Sequence, residues 1–372
     1  MSSLIKEINI NKTETFLNHF KYPQKVDYQW KILSPGKNRN VFIGFLKIDK
    51  QDEQDKNKIL IVKQIILFLE ESDNKEKKEK LKELYYLVFL YNYNNKCFVK
   101  LYDIFLSDDN RMIFLLFKGN KVDLKSVYRF KENNKYLDQK RMQSIIYQIS
   151  LSLHFLHSNN IIHNDIKPSN ILIDEEGNIS ISDFGAVSLK GEDIEEYTRC
   201  YASPESLISQ DYKSSEKYDM WSFGITIIEL FLKKRYFINK NNDEDQLKLI
   251  IQKFGINENI PTEEISYIIK GNLNYEFKLT EEETKIINNK EAIELIKNLL
   301  TLNPNKRFSA KQVLESNYLK SYDKKKNDEY STKIESFEII KDYIELPDKI
   351  NENEIRTNFN KLKSKLNKFQ CN

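Results

Sequence analysis

The sequence predicts an α+β fold in which a small β-rich lobe with one principal helix precedes a larger α-rich lobe. Three observations carry that expectation. From Tyr28 to about Leu116, apolar runs rich in Ile, Val, Phe and Leu are separated by polar stretches, as strands are by their turns. Beyond that point, long apolar-dense segments with helical spacing take over. The chain has 372 residues, 40% hydrophobic and 12% aromatic, enough for one large or two modest domains with a sizeable core.

Residues 1–27 are polar, lack a sustained period and read as an N-terminal extension. Val41–Ile48 and Ile59–Leu67 read as strands joined through the polar stretch Asp49–Lys58. Lys75–Leu90 reads as a helix, because Leu81, Leu84, Leu87 and Leu90 recur at three-residue intervals. Phe98–Leu106 and Met112–Phe117 read as two more strands, with Ser107-Asp-Asp-Asn-Arg111 as their turn. The first lobe is therefore assigned to residues 28–118. Lys140–His157 is too dense in Ile, Leu and Phe for an exposed helix and suits a buried one. Tyr218–Phe231 and Glu291–Leu302 repeat that signal, and the second lobe is assigned to residues 119–320.

Residues 321–372 form a charged tail. Ile334, Phe337, Ile340 and Ile344 share a helix face before Pro347. Ile355, Phe359, Leu362, Leu366 and Phe369 then alternate at four and three, with Arg356, Lys361, Lys363, Lys365 and Lys368 between them, as in an amphipathic helix with a basic side. Three roles stay open for residues 333–370: packing on the main domain, docking a partner or this chain itself as an autoregulatory helix, and lying on a membrane surface.

Composition narrows the function classes. The 59 Lys+Arg against 56 Asp+Glu leave a net charge of only +3, which argues against nucleic acid as the main partner. No apolar run approaches the roughly 18 residues that span a bilayer, so no transmembrane segment is expected. Met1-Ser-Ser-Leu-Ile-Lys-Glu7 lacks the apolar core of a secretory signal. Cys97, Cys200 and Cys371 are odd in number and far apart, forming neither a disulfide framework nor a metal cluster. An intracellular location, cytoplasmic or nuclear, is the expectation, and the oligomeric state stays open.

The chemistry is concentrated in two segments, Ile161-Ile-His-Asn-Asp-Ile-Lys-Pro-Ser-Asn-Ile-Leu-Ile173 and Ser182-Asp-Phe-Gly185. They resemble the catalytic loop (His-x-Asp-x-Lys-x-x-Asn) and the Asp-Phe-Gly metal motif of eukaryotic protein kinases, of the serine/threonine type by virtue of Lys167. The resemblance runs in family order from about Tyr28 to Leu319. It implies a bilobal protein kinase fold, with a small antiparallel β-sheet N-lobe carrying one main helix and a larger α-helical C-lobe. It also implies ATP and Mg²⁺ as cofactors and serine or threonine hydroxyls of protein substrates as acceptors.

Moving a γ-phosphoryl group requires holding a polyanion, neutralising the charge that develops and aligning a hydroxyl. By resemblance, Asp165 would accept or orient the hydroxyl proton and Lys167 would reach the transferring phosphate. Asn170 and Asp183 would supply the oxygen ligands that Mg²⁺ prefers. Leu60-Ile-Val-Lys63-Gln resembles the family's Val-Ala-Ile-Lys strand, which makes Lys63 the α/β-phosphate ligand; a Lys in an apolar strand needs a partner. That partner is expected at Glu83, because Tyr86, Leu87 and Leu90 follow at the +3, +4 and +7 positions of a core face. Glu79, one turn earlier, is the alternative.

Thr198-Arg-Cys-Tyr-Ala-Ser-Pro-Glu205 resembles the Thr-x-x-Tyr-x-Ala-Pro-Glu end of the activation segment, which implies that Thr198 contacts Asp165 and Lys167. Asp219-Met-Trp-Ser-Phe-Gly224 resembles the start of the central C-lobe helix, whose Asp braces the catalytic loop. Asn303-Pro-Asn-Lys-Arg307 resembles the late motif whose Arg pairs with Glu205. Leu116 as gatekeeper, Phe117-Lys118-Gly119 as adenine-facing backbone, Asp123 near the ribose and Leu172 complete the nucleotide set.

The departures from the pattern are as informative. Aligned on the family's glycine-rich loop, Leu33–Val41 keeps only Gly36 of three glycines, so Gly36 and Val41 remain as the cofactor-binding positions there. Ser34, Pro35 and Arg39 stiffen or crowd the loop. The Ala that roofs the adenine becomes Ile61. Asn164 stands where many members carry an Arg that pairs with an activation-segment phosphate, and Asn supplies no such charge. The expectation is a kinase that does not depend on activation-segment phosphorylation, with Tyr197 and Thr198 structural first and phosphosites second. The eroded loop and Ile61 keep open a pseudokinase acting as a partner- or nucleotide-binding scaffold; Lys63, Asp165, Asn170 and Asp183 favour catalysis. Phosphorylation of a small molecule is disfavoured by Thr198 and the Ser-Pro-Glu segment. Asp245–Gly255 is similar to the cyclin-dependent/MAP kinase branch and His163–Asn170 to Wee-type cell-cycle kinases, so no subfamily is assigned.

Overall fold

A computed structural model of the chain describes residues 28–31, 41–46, 59–66, 74–92, 97–106, 112–118, 121–129, 137–174, 177–209, 211–271, 275–322, 357, 360 and 364. The N-terminal extension, the glycine-poor loop with Gly36, the loops at 49–58 and 107–111, Gly119 and most of the tail lie outside the described residues. Within the tail, Thr357, Asn360 and Ser364 are helical and exposed, at the three-and-four spacing of one helix face.

The described residues fall into two compact units. The first contains β1 (Tyr28–Lys31), β2 (Val41–Leu46), β3 (Ile59–Ile66), α1 (Asn74–Asn92), β4 (Leu101–Leu106) and β5 (Met112–Lys118), and extends to Lys121. Its strands form an antiparallel sheet in the order β1-β2-β3-β5-β4. β3 is central, pairing Lys63 with Val41 on one side and Leu115 on the other, as befits the apolar, largely β-branched run Ile59–Ile66. In α1 every residue from Leu81 to Leu90 is buried, Lys82 and Glu83 included. The three-residue leucine stripe therefore understates the burial: the second half of this helix is enclosed on all sides.

Strand β4 starts three residues later than its apolar run suggests. Cys97 and Phe98 belong to the second unit, where the Ile181 N–H donates to the Cys97 carbonyl at 2.7 Å. The Phe98 ring packs against Phe155 at 5.6 Å and Phe184 at 6.0 Å, so the first residue of the run that reads as strand is consumed by a different core.

The second unit takes up the chain again at Val122. It contains β6 (Val122–Asp123), α2 (Leu124–Arg129), α3 (Gln139–Ser158), β7 (Ile161–Ile162), β8 (Ile171–Ile173), β9 (Ile179–Ile181) and β10 (Ser188–Leu189). Helices follow: α4 (Pro204–Ile208), α5 (Glu216–Leu232), α6 (Asp243–Gln252), α7 (Thr262–Lys270), α8 (Glu281–Ile287), α9 (Lys290–Leu299), α10 (Ala310–Leu314) and α11 (Asn317–Lys320). α3 starts where Asp138 accepts from the Arg141 N–H at 2.8 Å. Its buried serines are satisfied within the helix, Ser150 on the Ile146 carbonyl and Ser152 on the Gln148 carbonyl. α5 is buried continuously from Tyr218 to Leu230 and forms the axis of the core. Two small sheets, β6-β8-β9 and β7-β10, leave residues 163–170 as the loop between β7 and β8. Among the described residues no helix is long and apolar enough to cross a membrane.

Candidate active site

In the first unit, Lys63 Nζ lies 2.7 Å from both carboxylate oxygens of Glu83. β3 presents the lysine and the enclosed half of α1 presents the glutamate. A buried carboxylate of this kind is tolerable only with its cation in place, and the Lys is 22% exposed against 7% for the Glu. Leu116 is fully buried in β5, opposite Val62 and Asp103. By strand register Val41 faces Lys63, Ile61 faces Ile43 and Phe117, and Lys118 faces Leu60.

In the second unit the loop between β7 and β8 is pinned from beneath by Asp219, in the first turn of α5, where the helix N-terminus favours a carboxylate. Fully buried, Asp219 accepts at 2.9 Å from the backbone N–H of His163, the N–H of Asn164 and His157 Nε2. Asn164 can then take the left-handed conformation (φ +61°) that asparagine tolerates. The His163 ring is wedged against Phe184 at 5.3 Å. Its Nδ1 accepts from the Asp165 N–H at 3.3 Å and its Nε2 donates to the Ser182 carbonyl at 3.2 Å. Burial pushes this imidazole below its ordinary range, so it is the neutral tautomer that links the two motif segments.

Above this base the expected side chains converge. Asp165 Oδ1 accepts from Thr198 Oγ1 at 2.7 Å. Asp165 Oδ2 accepts from Lys167 Nζ at 2.5 Å and from Asn170 Nδ2 at 2.8 Å. Lys167 Nζ also donates to Thr198 Oγ1 at 2.8 Å, closing a ring of Asp165, Lys167 and Thr198. The Asn170 carbonyl accepts from both the backbone N–H and the hydroxyl of Ser182, at 2.9 and 3.0 Å. Ser182 thereby ties Asn170 to the neighbouring Asp183, which is left-handed at φ +66°, a conformation costing a non-glycine residue ~1–3 kcal/mol and concentrated at functional sites.

The donor set fits a small hard cation. Asn170 spends its amide N–H groups on Asp165, and among the described residues no hydrogen bond engages its Oδ1. One carboxamide oxygen and the Asp183 carboxylate are what a cation that keeps waters and phosphate oxygens in its shell requires. Among the described residues there is no cluster of three or more His, Cys, Asp or Glu that would make an all-protein metal cage. Asp123 also caps α2, accepting from the Ser126 N–H at 2.8 Å and the Ser126 hydroxyl at 2.6 Å, with Leu172 opposite it across β6 and β8.

Several contributors carry no motif. Asn164 Nδ2 donates to the Ala186 carbonyl at 2.9 Å and Ser188 Oγ at 2.7 Å, and its Oδ1 accepts from Ser214 Oγ at 3.0 Å. Glu229 accepts from the hydroxyls of Tyr201 at 2.8 Å and Tyr128 at 3.3 Å and from the Tyr236 N–H at 2.9 Å. Burial raises the Glu229 carboxyl and, together with Glu229, raises the Tyr201 hydroxyl, so the tyrosine stays a proton donor. Ser188 and Ser214 have no local sequence signal, and Glu229 is marked only by its place in the largely apolar run Ile225–Leu232. Glu205 does meet its expected partner: Arg307 grips it with two bonds of 2.7 and 2.9 Å.

A family profile described as protein kinase domain matches residues 45–319. Among curated proteins, the chain is 31% identical over 250 residues to "Extracellular signal-regulated kinase 2" of Dictyostelium discoideum, a match covering 63% of this chain and 65% of that protein. It is 28% identical over 256 residues to "Probable cyclin-dependent kinase 8" of the same organism, covering 61% of this chain and 66% of that protein. The chain thus spans a little under two-thirds of the length of these relatives.

Proposed function

The chain belongs to the protein kinase domain family, and from that premise we propose that it transfers the γ-phosphoryl group of ATP, with Mg²⁺, to serine or threonine hydroxyls of protein substrates. The observation that carries this reading is the cluster on the loop between β7 and β8. Three donors, Thr198, Lys167 and Asn170, orient the Asp165 carboxylate while leaving it an acceptor. A carboxylate so held can take the proton of an incoming hydroxyl, and Lys167 beside it meets negative charge on the group being moved. Lys63, fixed by Glu83, acts as the phosphate ligand of the first unit. Asn170 and Asp183 would hold Mg²⁺, which when bound neutralises charge on the phosphate oxygens. Val41, Ile61, Leu116, Lys118, Asp123 and Leu172 are the proposed nucleotide contacts. An intracellular setting suits buried Cys97 and Cys200, which form no disulfide.

The Asn164 clasp supports a second element of the proposal, independence from activation-segment phosphorylation. In place of an arginine waiting for a phosphate, a neutral amide joins the catalytic loop to Ala186, Ser188 and Ser214. A non-catalytic scaffold would have no need of the Asp165–Lys167–Asn170–Thr198 geometry. Label transfer from radiolabelled ATP to a protein substrate tests the reading. Transfer should appear on serine and threonine with phosphatase-treated enzyme and vanish on chelation of Mg²⁺. Activity abolished by dephosphorylation, or indifferent to chelation, contradicts it.

A further inference from the structure

Thr198, whose hydroxyl joins Asp165 and Lys167, sits between two residues whose side chains end on a single carboxylate. The Tyr197 hydroxyl donates to Asp243 Oδ2 at 2.8 Å, and Arg199 Nε donates to Asp243 Oδ1 at 2.5 Å. Arg199 Nη1 also donates to the Lys240 carbonyl at 3.0 Å, and the Cys200 N–H donates to Asn239 Oδ1 at 3.2 Å. Asp243 is the first residue of α6, whose start is fixed by Asn242 accepting from the Asp245 N–H at 2.8 Å. Residues 197–200 are thereby stitched to residues 239–243, and the position of Thr198 is set by its two neighbours. Tyr197 is 37% exposed, so the edge of this clamp is open to solvent.

We propose that Tyr197 is an inhibitory modification site: phosphorylation of its hydroxyl opens the Asp243 clamp and releases Thr198 from Asp165 and Lys167. In the modifying step the phenolic oxygen bonds to the γ-phosphorus of a nucleoside triphosphate, the bond to the bridging oxygen breaks, the diphosphate leaves and the phenolic proton passes to solvent. The consequence for activity rests on the proposed kinase function; the opening of the clamp does not.

Two arguments fix the sign. The bond to Asp243 uses the hydroxyl proton, and the phosphoester has none to donate. Burial and the neighbouring Asp243 push the Tyr197 hydroxyl up to about 12, so in the unmodified chain it is the donor at neutral pH. With 2.8 Å between the two oxygens there is also no room for a phosphoryl group unless the ring swings away. The added charge of about −1.5 to −2 would face the Asp243 carboxylate and an exposed flank carrying Glu195 and Glu196. Arg199, the cation of the clamp, would be drawn to the phosphate and away from Asp243. Asn164, bound to neutral groups, offers the phosphate no charge in compensation.

The test uses the full chain with phosphotyrosine incorporated at position 197 during translation, compared with the unmodified chain and with Tyr197→Phe. Phosphorylation should lower kcat/KM for a protein substrate at least about tenfold, leave KM for ATP and the melting temperature unchanged, and be reversed by a tyrosine phosphatase. Backbone hydrogen exchange across residues 194–203 should accelerate in parallel. Tyr197→Phe, which removes only the donor, should lose a few-fold. Phosphorylated protein as active as the unmodified chain, or more so, overturns the inference. If the unmodified chain transfers no phosphate at all, the kinase reading fails instead, and the exchange measurement still decides: unchanged protection at residues 194–203 on phosphorylation overturns the clamp.

Discussion

The amide of Asn164 has all of its hydrogen bonds made to neutral partners, two donated and one accepted, and it is buried. Asn164→Ala would strand two hydroxyls and a carbonyl where water reaches poorly, and the expected cost is ~1–3 kcal/mol, measured by denaturant unfolding. Asn164→Arg should cost at least as much, since a guanidinium there meets only neutral partners. Glu83→Gln should leave the Lys63 ammonium with a weaker partner and raise KM for ATP with little change in melting temperature; an unchanged KM counts against Lys63 as a phosphate ligand. Glu83 was legible in the sequence because the core face of α1 repeats around it. Ser188 and Ser214 were not: they are ordinary serines, 24 and 50 residues from Asn164, and only the fold brings them together. Asp243 was hidden in the same way, as one acidic residue among three at the start of a helix.

Helix α5 organises the second unit, and its one glycine shows why. A Cβ on Gly224 would lie 2.8 Å from Leu300 Cδ2 and 3.0 Å from Leu299 Cβ, so α5 meets the end of α9 at a notch. Alanine gains about 1 kcal/mol of helix propensity over glycine, but overpacking typically costs ~1–3 kcal/mol, and Leu299 Cβ cannot swing aside. Gly224→Ala should therefore lower the unfolding free energy. At the other end of the core, the fully buried Arg307 lies over the Trp221 ring and bonds to Glu205 and the carbonyls of Thr301, Lys217 and Leu302. Removing one partner, as in Arg307→Ala, leaves a buried carboxylate alone and should cost ~3–5 kcal/mol; replacing both by apolar residues should cost less. The apolar runs located strands and helices well, because burial imposes their period. Their ends were less legible: Phe98, the first residue of its apolar run, serves the aromatic core around Phe155 and Phe184, a choice made by tertiary packing.

For the whole molecule, the order of elements was readable because a sheet and a helical core impose different periods on one chain. The division falls at Lys121 and Val122, with Cys97 and Phe98 on the far side of it, since contact and not chain order defines a unit. Spacing is what singles out Asp165, Lys167, Asn170 and Asp183 as the proposed catalytic and metal positions, whereas Glu229 and Asp243, which fasten Tyr201 and residues 197–199, are distant in sequence from what they hold. At this scale the proposed activity is expected to be Mg²⁺-dependent and to survive phosphatase treatment, because Asn164 joins the catalytic loop to Ala186, Ser188 and Ser214 through neutral groups. The most direct measurement is label transfer from radiolabelled ATP to a protein substrate by the full chain and by Asp183→Asn, at matched fold and concentration. The wild-type chain should label the substrate and the variant should fall by at least about 10²-fold. Equal transfer by the two would contradict the assignment of these residues to phosphoryl transfer.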